Sequence, residues 1–245
     1  MRTVVHCRLA LGLLVLAFLS PAFAGDPPAP RPDADEQAQV ALLGSGLELL
    51  KQRRPADAIA TSFDRIIARF GEKFGTDTRK IYSARTMQES LFYMLQAANA
   101  KQAAVVVSPV WSQAHYFKGY ALVELGRLPE ARASLERALA MSPMNAQYLE
   151  ELGDLSLREK NLAAALEKFQ LAEEGARVYA PDATKNAELA RAWRGVGYVL
   201  VEQGKLDEAE ALYRKCLELD KNDQRAAAEL KYVLNAKAKN AGAPK

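Results

Sequence analysis

The chain has 245 residues, 49% of them hydrophobic, and its 33 Lys and Arg nearly balance 30 Asp and Glu to give a formal net charge of +3. That balance excludes the strongly basic surface on which non-specific nucleic-acid binding depends. The length is ample for a buried core built by packing alone.

In chain order, Arg2 and Arg8 flank no acid and precede an apolar run, Leu9 to Leu19, that leads into Ala22-Phe23-Ala24. This reads as a secretory signal peptide over residues 1–24, because the run is roughly half of the ~20 residues a spanning helix needs. Cleavage before Gly25 would remove Arg2 and Arg8, leaving a charge of +1, Cys216 as the sole cysteine and no integral membrane segment. A periplasmic or secreted protein without an intramolecular disulfide is expected.

Residues 25–36, with Pro27, Pro28, Pro30 and Pro32, read as a semi-extended linker. From Gln37 onward good helix formers dominate, and only Ala104 to Val107 looks strand-like. Within residues 37–111, ALLGSGLELLKQRRPADAIATSFDRIIARF has the rhythm of a helical hairpin, with Pro55 opening its second helix, although Phe63 stands one place late after Ala58. Residues 78–109 read as a further divergent hairpin. The apolar run AAVVVSPVW, Ala103 to Trp111, is expected in the core, with a self-association patch as the alternative.

From residue 112 the spacing becomes regular. Gly119, Ala131, Leu135 and Ala138 are answered 34 residues later by Gly153, Ala165, Phe169 and Ala172, and after a further 44 by Gly197, Ala209, Tyr213 and Cys216. Small residues at such places let two helices touch, while Gly126 and Gly204 suit helix ends and Pro129 suits a helix start. In the middle unit Asn161 is expected near the left-handed position.

These residues resemble the tetratricopeptide repeat, a 34-residue helix-turn-helix unit, over residues 112–145, 146–179 and 190–223. His115, Gly119, Leu122, Ala131, Leu135, Ala138 and Pro143 take signature places in the first unit, and Trp193, Val196, Gly197, Leu200, Ala209 and Tyr213 do so in the third. Lys118, Ser156, Arg177 and Lys221 depart from the pattern, Lys118 being expected to carry its ammonium outward. The resemblance implies an all-α helix-turn-helix solenoid, an α-α superhelix. A capping helix is expected over residues 224–238, a frayed tail over 239–245, and a loop between lengthened helices from Ala180 to Leu189.

Chemistry-bearing clusters are sparse. His115, the single histidine after residue 24, sits at a packing position, and a metal site needs several ligands held together. No nucleophile motif accompanies that base, Gly44-Ser45-Gly46 follows no strand, and Cys216 reads as a buried inert thiol. No catalysis, metal or cofactor is expected.

The resemblance implies instead a concave face lined by the first helix of each hairpin. Its stripe would be Tyr116, Tyr120 and Glu124, then Glu150, Asp154 and Arg158, then Arg191, Arg194, Tyr198 and Glu202. Tyr and Arg are enriched where proteins dock, so an adaptor holding a protein or peptide partner is expected. Tyr116 and Tyr120 stand where the chaperone-tail clamp of some relatives needs Lys and Asn, so that ligand is not implied. A structural subunit of an envelope assembly or secretion apparatus and a glycan binder are the alternatives.

Overall fold

The computed structural model describes residues 33–242; the expected signal peptide and most of the expected linker lie outside them. Helix α1 (Ala34–Lys51) begins inside the expected linker because the Asp33 carboxylate accepts the Glu36 backbone N–H at 2.7 Å, satisfying one of the orphan donors of a helix start. After a turn at Arg53, α2 (Pro55–Ala58), a π-helical turn (Ile59–Phe63) and α3 (Asp64–Phe74) run on as one rod. The π turn accommodates one extra residue. It therefore brings Phe63 to Gly46, where an added Cβ would lie 2.5 Å from the Phe63 ring.

The clear hairpins repeat this contact. Helices α5 (Val110–Glu124) and α6 (Leu128–Met141) meet where Gly119 abuts Leu135, α7 (Ala146–Arg158) and α8 (Leu162–Tyr179) where Gly153 abuts Phe169, and α9 (Asp182–Glu202) and α10 (Leu206–Leu219) where Gly197 abuts Tyr213. Ala58, Ala131, Ala165 and Ala209 are all fully buried on the second helices. Residues 37–74 thus form a complete hairpin of the same design.

Several expectations are corrected. Residues 78–109 are not a hairpin: β1 (Lys80–Ser83) and β2 (Ala104–Val107) pair in parallel, Lys80 opposite Ala104 through Ser83 opposite Val107, with α4 (Met87–Asn99) crossing between them. Such a parallel connection is what a helix crossover provides. The run from Ala103 to Trp111 contributes to packing, Val106 against Tyr82 and Tyr93 and Val110 in the core. No ten-residue loop follows α8, because only Ala180 and Pro181 separate it from the lengthened α9. Asn161 is a cap that accepts the Ala164 N–H at 3.1 Å, and Lys160 beside it holds the left-handed conformation at φ 60°. Helix α11 (Gln224–Gly242) runs into the expected tail.

The strand-helix-strand insertion is anchored by buried polar groups. The Tyr93 hydroxyl donates to Glu89 Oε1 at 2.9 Å and accepts the Met144 N–H at 3.2 Å. Arg85 Nη1 reaches Glu188 Oε1 at 2.9 Å, the Ser142 hydroxyl donates to the Ser83 carbonyl, and Phe92 lies 4.8 Å from Tyr179. The other face of α4 exposes Met87, Leu91, Met94 and Leu95. Among the described residues no helix is long and apolar enough to cross a membrane.

Candidate binding groove

Helices α5, α7 and α9 line a groove of about 750 Å³, to which α11 contributes Arg225. Their helical spacing sets which side chains enter. Tyr120, Asp154 and Tyr198 occupy one repeat position, separated by the same 34 and 44 residues as the glycines, and all three line the groove. Glu124 and Arg158, one turn further on, line it too, whereas Glu202 at the corresponding place is exposed outside it.

A second expected position turns inward instead. Tyr116, Glu150 and Arg194 are equivalent residues, and each is taken up by the following repeat. Tyr116 is buried and stacks on Tyr148 at 4.9 Å, Glu150 is 1% exposed with an oxygen 3.5 Å from Arg191, and Arg194 is paired with Asp223. Stacking of hairpins therefore removes Tyr116 and Glu150 from the groove, whereas Arg194 is half-buried and lines a recess beside it. The residues of this position form the seam between units.

Arg191 is the electrostatic centre. Its Nη2 lies 2.6 Å from Glu151 Oε1 and 2.8 Å from Asp154 Oδ2, while Nη1 faces Glu150. Burial alone would lower the guanidinium's pKa, but the carboxylates of Glu151, Glu150 and Asp154 outweigh it and the net shift is upward. Burial pushes Glu150 well above the ordinary carboxylate range; Arg191 opposes this, and Glu188, Asp154 and Glu151 reinforce it. At the mouth, burial and then the neighbouring Glu124 raise the Tyr120 hydroxyl.

Two cations remain uncommitted: Arg158 and Arg225 line the groove, are exposed, and have no ion-pair partner among the described residues. Tyr120 and Tyr198, 38% and 43% exposed, open onto the same space. A recess of about 350 Å³ shares Asp154, Arg191, Tyr198 and Arg225 and extends the groove toward α11. The arrangement offers donor forks, aromatic faces and acceptors to an extended ligand, and no nucleophile-base pair.

The sequence reading missed Glu151, Leu155, Leu157 and Arg225. For Arg225 a signal existed: it lies 34 residues after Arg191, one repeat further on, which becomes visible when α11 is treated as another first helix. His115 is half-buried and lines a different cavity. Cys216 is fully buried, its thiol pushed up to about 11 by burial.

Comparison with protein families matches tetratricopeptide-repeat models over residues 95–138 and 116–180, and again over 190–223. The first match takes in β2, where the chain departs from helical-repeat geometry. No curated protein sequence matches. Among solved structures, pilF of Pseudomonas aeruginosa is similar at 16% identity and a TM-score of 0.59, covering 84% of this chain and 72% of that one. A crystal structure of the MamA protein is similar at 15% identity and a TM-score of 0.50, covering 83% and 84% respectively. At these identities the likeness is one of fold. Tetratricopeptide repeats are found within residues 95–180 and 190–223, and the chain is an all-α helical-repeat solenoid with one strand-helix-strand insertion.

Proposed function

We propose that the protein is an exported adaptor that holds an extended segment of a protein partner in the groove of α5, α7 and α9. The observation that carries this reading is the pair of uncommitted arginines, Arg158 and Arg225, beside the exposed rings of Tyr120 and Tyr198. Arginine without a partner can take a carboxylate or a backbone carbonyl at little reorganisation cost. Tyrosine adds a large contact area with few rotors to freeze. The acids around Arg191 are already paired, so they shape the groove and disfavour a strongly acidic segment near them.

Peptides selected from a random display library against the mature protein test this reading. Tyr120→Ala with Tyr198→Ala, and separately Arg158→Ala with Arg225→Ala, should each weaken binding by about tenfold or more, as loss of docking residues commonly does. Helicity should be unchanged. Equal affinity for wild type and both variants would move the site elsewhere. The exported address rests on residues 1–24 and is checked by N-terminal sequencing of the protein recovered from the envelope fraction, where Gly25 is the expected first residue.

A second reading, a structural subunit of an envelope assembly, is favoured by the apolar stripe of Met87, Leu91, Met94 and Leu95 on α4, none of which lines the groove. Assembly that survives the groove variants and fails when this stripe is made polar would favour it.

A further inference from the structure

A second cavity, sharing no lining residue with the groove, lies between α3, β1, α5 and α6 and has a volume of about 470 Å³. Its walls are apolar where Ile67, Ile81 and Met141 meet, and cationic where Lys80 and Arg137 enter; no carboxylate lines it. Arg79 also lines it but is committed to Asp77 through contacts of 3.0 and 2.7 Å. Lys80 lies 5.7 Å from the Tyr82 ring centroid and has no carboxylate partner among the described residues, and Arg137 has neither an ion pair nor a side-chain hydrogen bond.

Trp111 and His115 line it as well. Trp111 is clamped by Phe70 and Phe74 at 5.5 and 5.9 Å, and its Nε1 is buried with no acceptor. An indole N–H can only donate, and a buried donor without an acceptor is a departure that calls for a cause. His115 makes no side-chain hydrogen bond among the described residues. Burial, then Lys118 and Arg137, hold its pKa down to about 4, with Asp64 pulling the other way. At neutral pH the imidazole is therefore uncharged and still has one N–H to give.

We propose that this cavity binds an oxyanion-bearing small molecule, its phosphoryl or carboxylate group held by Lys80 and Arg137 beside Trp111 and His115, and its apolar body lying against Ile67, Ile81 and Met141. The unfilled groups are cations and N–H donors, the complement of an oxyanion. Stacking on Phe70 and Phe74 fixes the Trp111 ring as part of the wall without an ordering cost on binding. A soluble phosphate ester and a lipid headgroup share this chemistry, and the probes below separate them.

The test follows the His115 imidazole and the Trp111 indole by NMR in the mature protein, with inorganic phosphate, dodecyl phosphate and anionic phospholipid vesicles as separate probes and sodium chloride at matched ionic strength as the control. The expected result is a saturable shift of the Trp111 indole and a rise in the His115 pKa, since a bound anion offsets Arg137 and Lys118. Saturation with inorganic phosphate supports a site for free oxyanions; saturation with dodecyl phosphate alone supports a ligand that needs its apolar body.

Lys80→Gln and Arg137→Gln should each weaken the response by about tenfold, the scale of one charge-assisted hydrogen bond, with helicity unchanged. A response to vesicles only would assign the oxyanion to a lipid headgroup; resonances unmoved by all three probes, an equal response to chloride, or full binding by the double variant would each overturn the proposal.

Discussion

Lys160, Arg53 and Lys101 hold the left-handed backbone that Gly126 and Gly204 hold in other turns, with φ of 60°, 57° and 55° against 73° and 74°. A side chain pays for that conformation in local sterics, and glycine does not. Gly126→Ala should therefore lower stability by about 1 kcal/mol in urea unfolding, and Lys160→Gly should cost less than a glycine introduced within a helix, because relief of strain offsets its greater chain entropy. His115 sets a different test. Its folded pKa of about 4 lies below its ordinary 6.5, so its contribution is fully present above pH 6.5 and is lost as the pH falls through about 4. The ceiling on that loss is about 3 kcal/mol at 1.4 kcal/mol per pKa unit. His115→Gln should flatten the stability profile across this window, measured by chemical denaturation at successive pH values.

At the scale of elements, one hydroxyl makes two of the buried contacts that anchor the insertion. Tyr93→Phe would remove both the donor to Glu89 and the acceptor of the Met144 N–H, leaving buried polar groups unpaired at a cost of about 2 kcal/mol. Hydrogen exchange should then quicken in β1, α4 and β2 before it does so in α7 or α8; uniform quickening along the chain would show that the insertion and the repeats open as one unit. The hairpins were readable in the sequence because Gly119, Gly153 and Gly197 each meet a large side chain at a fixed distance along the chain. Strand β1 was not, since KIYS gains its identity only by pairing with Ala104–Val107, and nothing local marks that partner. The groove was readable in part: the position of Tyr120, Asp154 and Tyr198 follows from helical periodicity alone. Burial of Tyr116 and Glu150 and the pairing of Arg194 with Asp223 come from the angle at which the next hairpin stacks, which periodicity does not contain.

Across the whole molecule, polar anchoring and apolar exposure are separated onto the two faces of α4. Glu89, Tyr93 and Ala97 face inward, and Met87, Leu91, Met94 and Leu95, 74%, 63%, 41% and 60% exposed, face outward. Because the outward side chains are exposed, Leu91→Gln with Leu95→Gln should alter stability by no more than about 0.5 kcal/mol per site while shortening retention on a hydrophobic column. A fall in melting temperature would mean that the stripe is covered in solution. The π turn at Ile59–Phe63 has a consequence for how such an array changes length. It stores a single surplus residue within one turn and returns the following helix to phase, so the Gly46–Phe63 seam closes as it does in the other hairpins. Removing Thr61 should leave Phe63 following Ala58 by four places, as Phe169 follows Ala165, with the first hairpin otherwise intact. A solenoid able to hold an insertion this way can gain or shed residues one at a time, without waiting for an entire unit to be duplicated or lost.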